Sequence, residues 1–133
     1  MIKKLCHIGV NVRDIEKAKN LFTTVFNLDF PLTPSKKASF SWMGDVLIEI
    51  WEPQTDEAIK ALERRGEGIN HLCFEVDNIE EEVKTYVEKG LKLKTKGIVH
   101  PPGRRVAFFG PEDTLGILIE LVEFDEDRTG SPY

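Results

Sequence analysis

The chain has 133 residues, of which 41% are hydrophobic and 31% charged, a composition typical of one compact globular domain. Its formal net charge of −5 disfavours nonspecific binding to nucleic acid. No apolar run approaches the roughly 20 residues that a membrane-spanning helix needs, so we expect no membrane partner. A strand pattern begins almost directly after Met1, without the apolar segment of a secretory leader, and we therefore expect a cytoplasmic protein.

The first half of the chain, residues 3–53, shows the pattern of a β-α-β-β-β module. Alternating apolar and polar residues predict a strand from Lys4 to Val12. Asp14 is placed to cap a helix, and Asn27 is placed to end it. Three short strands are predicted next, at residues 29–32, 38–43 and 46–51.

The second half of the chain predicts the same order of elements over residues 67–124. A linker helix at residues 54–66, ended by a glycine, separates the two modules. In the second module Asn78 is placed to cap a helix that stops at Gly90. Its strands are predicted at residues 69–76, 91–96, 105–109 and 116–124. The tail at residues 125–133 contains Gly and Pro, and we expect it to be frayed.

An internal repeat relates the two modules. Residues 5–16 recur as residues 69–80, an offset of 64 that aligns one histidine with another. The phrase Leu-Ile-Glu-Ile at residues 47–50 is echoed by Leu-Ile-Glu-Leu at residues 118–121. Each module therefore carries one histidine and one glutamate in a matching context, which predicts two modules related by a pseudo-twofold axis.

Those four residues, His7, Glu49, His71 and Glu120, form a candidate metal site. Strand alternation places each of them on the face opposite the apolar residues that pack under the helices. A glutamate between large apolar residues is costly to bury unless it is paired, and two in matching contexts indicate a shared purpose. Two imidazoles and two carboxylates suit Zn, Co, Ni, Mn or Fe, and on a six-coordinate ion they leave two positions for substrate or water.

The sequence resembles the vicinal oxygen chelate superfamily, which includes glyoxalases, bleomycin resistance proteins and dioxygenases, and within it looks most like the methylmalonyl-CoA epimerases. The resemblance covers nearly all of residues 3–124. It is carried by the phrases His-Ile-Gly at 7–9, Ile-Glu-Ile-Trp-Glu-Pro at 48–53, Arg-Gly-Glu-Gly-Ile-Asn-His at 65–71, Phe-Glu-Val-Asp-Asn-Ile at 74–79, Val-Ala-Phe-Phe at 106–109 and Gly-Ile-Leu-Ile-Glu-Leu at 116–121.

This resemblance implies an α+β fold in which two β-α-β-β-β modules form a curved mixed sheet around a metal cleft. His7, Glu49, His71 and Glu120 would hold a divalent ion such as Co, Ni, Zn or Mn. The implied reaction inverts the carbon alpha to a thioester through a metal-stabilised enolate, with Glu120 and Glu49 as the catalytic acid–base pair. The substrate would be a small acyl thioester.

Three other functions fit the same residues. Glutamate at position 49 matches glyoxalase I, a lactoylglutathione lyase that isomerises a glutathione hemithioacetal by similar metal chemistry. His7, His71 and Glu120 could serve as the facial triad of an Fe(II) extradiol-type dioxygenase. The third alternative is a non-catalytic binding module, whose known relatives typically lack the metal ligands. Edge strands in both modules also predict a homodimer.

Overall fold

Three α-helices and seven β-strands make up the part of the chain that the computed structural model describes, residues 1–94 and 96–125. The helices are α1 (Ile15–Phe26), α2 (Asp56–Arg65) and α3 (Ile79–Glu88). The strands are β1 (Ile2–Asn11), β2 (Leu32–Ser35), β3 (Ala38–Met43), β4 (Val46–Trp51), β5 (Gly68–Val76), β6 (Arg104–Phe109) and β7 (Leu118–Phe124). The predicted α+β class is confirmed.

The described residues divide into two compact units. The amino-terminal unit comprises His7–Asn70. The carboxy-terminal unit combines Met1–Cys6 with the described residues from His71 onward. Strand β1 therefore contributes its first residues to one unit and the remainder to the other. The predicted tail lies outside the described residues apart from Asp125.

In the amino-terminal unit the strand order is β2-β3-β4-β1, with β1 parallel to β4 and the other neighbours antiparallel. Helix α1 covers one face of this sheet because its apolar stripe meets the β-branched residues of β1 and β4. The core there contains the buried residues Val12, Ile15 and Ile50, with Val10, Ala18, Phe22, Phe30 and Ile48 packed against them.

Both predicted ends of α1 are confirmed. The Asp14 side chain accepts a hydrogen bond from the Lys17 N–H, and Asn27 adopts the left-handed conformation that ends a helix. The strand predicted at residues 29–32 is wrong in position, because β2 begins at Leu32. Phe30 packs against the α1 core instead, and Pro31 has no N–H to donate to a ladder.

The carboxy-terminal unit contains the order β5-β7-β6, with β5 parallel and β6 antiparallel to β7. Helix α3 covers one face of these strands, as α1 does in the amino-terminal unit. Its core consists of the buried residues Val76, Ile79, Ala107, Phe109 and Leu121. The Asn78 side chain caps α3 by accepting the Glu81 N–H, as the sequence predicts.

The strand predicted at residues 91–96 is wrong. Among the described residues of this segment, Leu93 forms a single isolated bridge, to Phe109. The Lys92 N–H donates to the Asp113 carboxylate at 3.1 Å, so it is not available to continue a ladder. The segment is held by its apolar side chains, by this loop contact and by a backbone hydrogen bond from the Lys94 N–H to the Phe108 carbonyl of β6 at 2.7 Å.

Within the described residues, no helix has both the length and the apolar character needed to cross a membrane.

Candidate metal centre

The first predicted pair, His7 and Glu49, comes together on the face of the amino-terminal sheet opposite α1. The His7 Nε2 atom lies 4.0 Å from the nearer Glu49 carboxylate oxygen. The parallel register sets Gly9, which has no side chain, directly opposite Glu49, so the carboxylate can reach diagonally to the imidazole. Only 1% of His7 is exposed, and the edge of its ring packs against Phe40 with centroids 5.7 Å apart.

The second pair, His71 and Glu120, repeats this arrangement in the carboxy-terminal unit. The His71 Nε2 atom lies 3.3 Å from a Glu120 carboxylate oxygen, and both residues are buried. The register sets a small residue, Cys73, opposite Glu120, the equivalent of Gly9 opposite Glu49. Strand alternation therefore predicts the strand face on which the members of each pair lie.

Within each pair, the two donor atoms are spaced as two ligands of one ion would be. Protein nitrogen and carboxylate ligands lie about 2.1 Å from a transition-metal ion, so two of them are roughly 3 Å apart at a right angle and about 4.2 Å apart when opposite. The 3.3 Å and 4.0 Å separations fall inside that range. Burial adds to the fit, because carboxylates taken out of water need a positive partner. Each pair fits a divalent metal.

A family model connects this geometry to known proteins. Residues 6–108 match the model of the Glyoxalase/Bleomycin resistance protein/Dioxygenase superfamily. The chain belongs to this superfamily. The matched segment contains His7, Glu49 and His71 and stops before Glu120, which lies in the last strand.

Proteins similar to this chain include several that are named as epimerases. The mitochondrial methylmalonyl-CoA epimerase of Bos taurus is 31% identical over 128 residues, which cover 89% of this chain and 73% of that protein. The uncharacterized protein YqjC of Bacillus subtilis is 28% identical over 96% of both chains. A variant of the Streptomyces coelicolor methylmalonyl-CoA epimerase, in complex with 2-nitronate-propionyl-CoA, superposes with a TM-score of 0.85 at 19% identity, over 98% of this chain and all of that one. That likeness shows the fold.

This protein has two further equivalent glutamates, one in each unit, which the sequence interpretation missed. In the amino-terminal unit, Glu52 accepts the N–H of Ile15, the first residue of α1, at 3.2 Å. Its other carboxylate oxygen accepts a hydrogen bond from Lys37 Nζ at 2.8 Å. The Lys37 ammonium and the Ile15 N–H hold the pKa of Glu52 below its usual value.

Glu123 performs the same task in the carboxy-terminal unit. It accepts the N–H of Ile79, the first residue of α3, at 2.7 Å, and it also binds the Arg105 guanidinium. The hydrogen bond to Glu123 raises the pKa of Arg105 above its usual value. A signal was available in the sequence, since Glu52 follows Glu49 by three residues and Glu123 follows Glu120 by three.

Proposed function

We propose that this protein is a metal-dependent epimerase that inverts the carbon alpha to the thioester of an acyl-CoA. Its relatives called methylmalonyl-CoA epimerase are named for this reaction. The observation that carries the proposal is the two His–Glu contacts at equivalent strand positions, in which His7, His71 and Glu120 are buried and Glu49 is partly buried. The 31% identity to the Bos taurus enzyme supports the choice of reaction within the superfamily. The complex of the Streptomyces coelicolor enzyme supports an acyl-CoA substrate.

In this proposal His7, Glu49, His71 and Glu120 hold one divalent ion, which is Co, Ni, Zn or Mn. Such an ion supplies positive charge that stabilises the negative charge developing on the thioester oxygen. The two histidines are neutral nitrogen ligands and the two carboxylates offset the charge of the ion. The homodimer and the cytoplasmic location predicted from the sequence stay predictions.

The two glutamates supply the proton transfers, and each would loosen from the ion while it carries a proton. Inversion needs an acceptor on one face of the carbon and a donor on the other. Glu120 takes the alpha proton, and the electron pair of the broken C–H bond moves to the thioester oxygen. Protonated Glu49 then delivers a proton to the opposite face, which re-forms the C–H bond with inverted configuration. Each forward turnover leaves Glu120 protonated and Glu49 ionised; Glu120 then releases its proton to water and Glu49 takes one up from water, which restores the starting states.

Exchange of the alpha proton in D₂O tests this reaction directly. We expect methylmalonyl-CoA to gain one deuterium in the presence of the protein, and removal of metal by a chelator to abolish the gain. Glu120→Gln removes the proton acceptor and should slow exchange by about 10²–10⁴-fold. Glu88→Gln, an exposed change at the end of α3, is the matched control and should exchange normally. Exchange that survives both chelation and Glu120→Gln would overturn the proposal.

Metal content gives a readout independent of activity. We expect about one divalent ion per chain in the native protein, and loss of that ion in His7→Asn and in His71→Asn. His100→Asn is the matched control because His100 is exposed in a loop and contacts neither pair. Turnover of methylglyoxal with glutathione, without any exchange on methylmalonyl-CoA, would decide for a lactoylglutathione lyase instead.

A further inference from the structure

A buried amide in the amino-terminal unit lacks a hydrogen-bond partner. Asn11 is the last residue of β1 and is only 5% exposed. Its Oδ1 atom is buried, and none of the described residues donates a hydrogen bond to it. Buried acceptors are nearly always satisfied, because an unsatisfied one loses its hydration without replacement. An asparagine left in this state indicates that its donor comes from outside the chain.

The Asn11 side chain lines a cavity of about 90 Å³ within the same unit. Ala61 and Leu62 of α2 form an apolar wall, and the loop after α2 forms the rest. Gly66 and Gly68 add no side chain to that loop, and both have positive φ angles that other residues rarely adopt. The space equals that of about three water molecules, which is also enough for one amide group and its adjoining carbons.

The charges around the cavity favour a neutral donor. Arg65 and Glu67 both line it, and Arg13 forms an ion pair with Glu67, so the one carboxylate is already matched by positive side chains and does not call for a further cation. The end of α2 presents backbone carbonyls, the negative end of the helix dipole, which disfavours an anion. The Gly66 N–H is already committed to the Leu62 carbonyl. An amide N–H satisfies the Asn11 oxygen without adding charge to this balance.

The distance from the His7–Glu49 pair sets how far along the substrate the donor amide must lie. Asn11 lies four residues beyond His7 on the same face of β1, which corresponds to about 13 Å along the strand. The pantetheine arm of coenzyme A begins at the thioester sulfur and carries two secondary amides. An extended chain of this kind, which covers about 3.5 Å per peptide-like unit, spans that distance in three to four units.

We propose that the cavity binds the pantetheine arm of the acyl-CoA substrate and that Asn11 Oδ1 accepts the N–H of one of its amides. This inference rests on the proposed acyl-CoA substrate. Asn11 touches the part of the substrate that does not react, so it contributes equally to the ground state and the transition state. Its loss should therefore raise KM and leave kcat unchanged.

Asn11→Leu tests this role, because leucine has a similar size and no polar atom. We expect the Kd for free coenzyme A, measured by calorimetry, to rise about tenfold. Adenosine 3′,5′-bisphosphate lacks the arm, and any affinity for it should be unchanged. The Tm of this variant should not fall, since the change removes an unsatisfied buried oxygen. Equal coenzyme A affinity in the native and Asn11→Leu proteins would show that the cavity holds only water and overturn the inference.

A second variant fills the cavity from the opposite wall and leaves Asn11 intact. Ala61→Met should also weaken coenzyme A binding, whereas Ala58→Met, one turn earlier on α2 and outside the cavity, should not. Coenzyme A binding that needs Asn11, without deuterium exchange into methylmalonyl-CoA, would refute the epimerase and support the arm site. Exchange with an unchanged KM in Asn11→Leu would refute the arm site alone.

Discussion

Replacing Glu52 tests how the amino-terminal unit is held together. In Glu52→Ala the Ile15 N–H loses its acceptor and Lys37 loses its partner. Loss of a helix-capping acceptor costs about 1 kcal/mol. The ion pair adds about 0.5 kcal/mol, since 42% of the Lys37 side chain is exposed and solvent screens the charges. We therefore expect the free energy of unfolding to fall by about 1.5 kcal/mol.

Urea unfolding at pH 7 measures this loss, and thermal unfolding should show a Tm lower by roughly 5 °C. The control is Glu16→Gln, which removes an exposed carboxylate from the first turn of α1 without touching the cap. Its cost should stay near 0.3 kcal/mol, the contribution of a charge to the helix dipole. If Glu52→Ala and Glu16→Gln cost the same, Glu52 does not anchor the helix.

The stabilisation by Glu52 also has a defined pH dependence. The folded pKa of Glu52 lies below its unfolded value of 4.5, mainly because of the hydrogen bond from Lys37. Its contribution is complete above the unfolded pKa and is lost as the pH falls through the folded pKa. The difference in unfolding free energy between the native protein and Glu52→Gln should therefore be constant near pH 7 and shrink below pH 4.5. A difference that persists unchanged to pH 2 would refute the pKa assignment.

Three further changes have expected outcomes. Glu123→Ala removes the acceptor of the Ile79 N–H and should lower the free energy of unfolding by about 1–2 kcal/mol in urea, and a neutral result would contradict its capping role. Burial and the Glu82 carboxylate raise the pKa of Tyr86 to about 12, so absorbance at 295 nm should show a phenolate transition near that pH that Tyr86→Phe removes. Leu115 is 99% exposed with a φ of 59°, so Leu115→Gly should raise stability by about 1 kcal/mol, and a lower Tm would show that the side chain makes a stabilising contact.

The sequence predicts on which strand face the four candidate residues lie because side-chain alternation is local to each strand. In β1 and β4 the period of two places His7 and Glu49 away from Ile48 and Ile50, and the α1 core confirms which face is apolar. The duplication then gives the second pair without further information. What the alternation cannot give is the partner of a side chain that points toward a neighbouring helix, which is why the caps at Glu52 and Glu123 were missed.

The wrong strand at residues 91–96 has a different physical cause. Leu91 and Leu93 do alternate with lysines, and both pack against the carboxy-terminal core as that pattern predicts. A strand also needs backbone partners on a neighbouring strand. The Lys92 N–H is taken by Asp113, a residue 21 positions away in a loop that the sequence pattern does not specify. Side-chain alternation thus predicts burial correctly here, but the Lys92 N–H bonds to the loop while the Lys94 N–H bonds to the Phe108 carbonyl of β6, so no continuous ladder forms.

The spacing of the glutamates explains how each unit can place a candidate metal ligand accurately. Glu49 and Glu52 are three residues apart, as are Glu120 and Glu123, so in extended chain the two members of each set face opposite sides of the sheet. One member fixes the start of a helix and the other faces a histidine. A slip of one residue in β4 or β7 would break the helix cap and withdraw the candidate ligand at once. The hydrogen bond between the helix and Glu52 or Glu123 therefore fixes the strand register that positions the other carboxylate. Glu52 and Glu123 have no role in the proposed reaction that would oppose this.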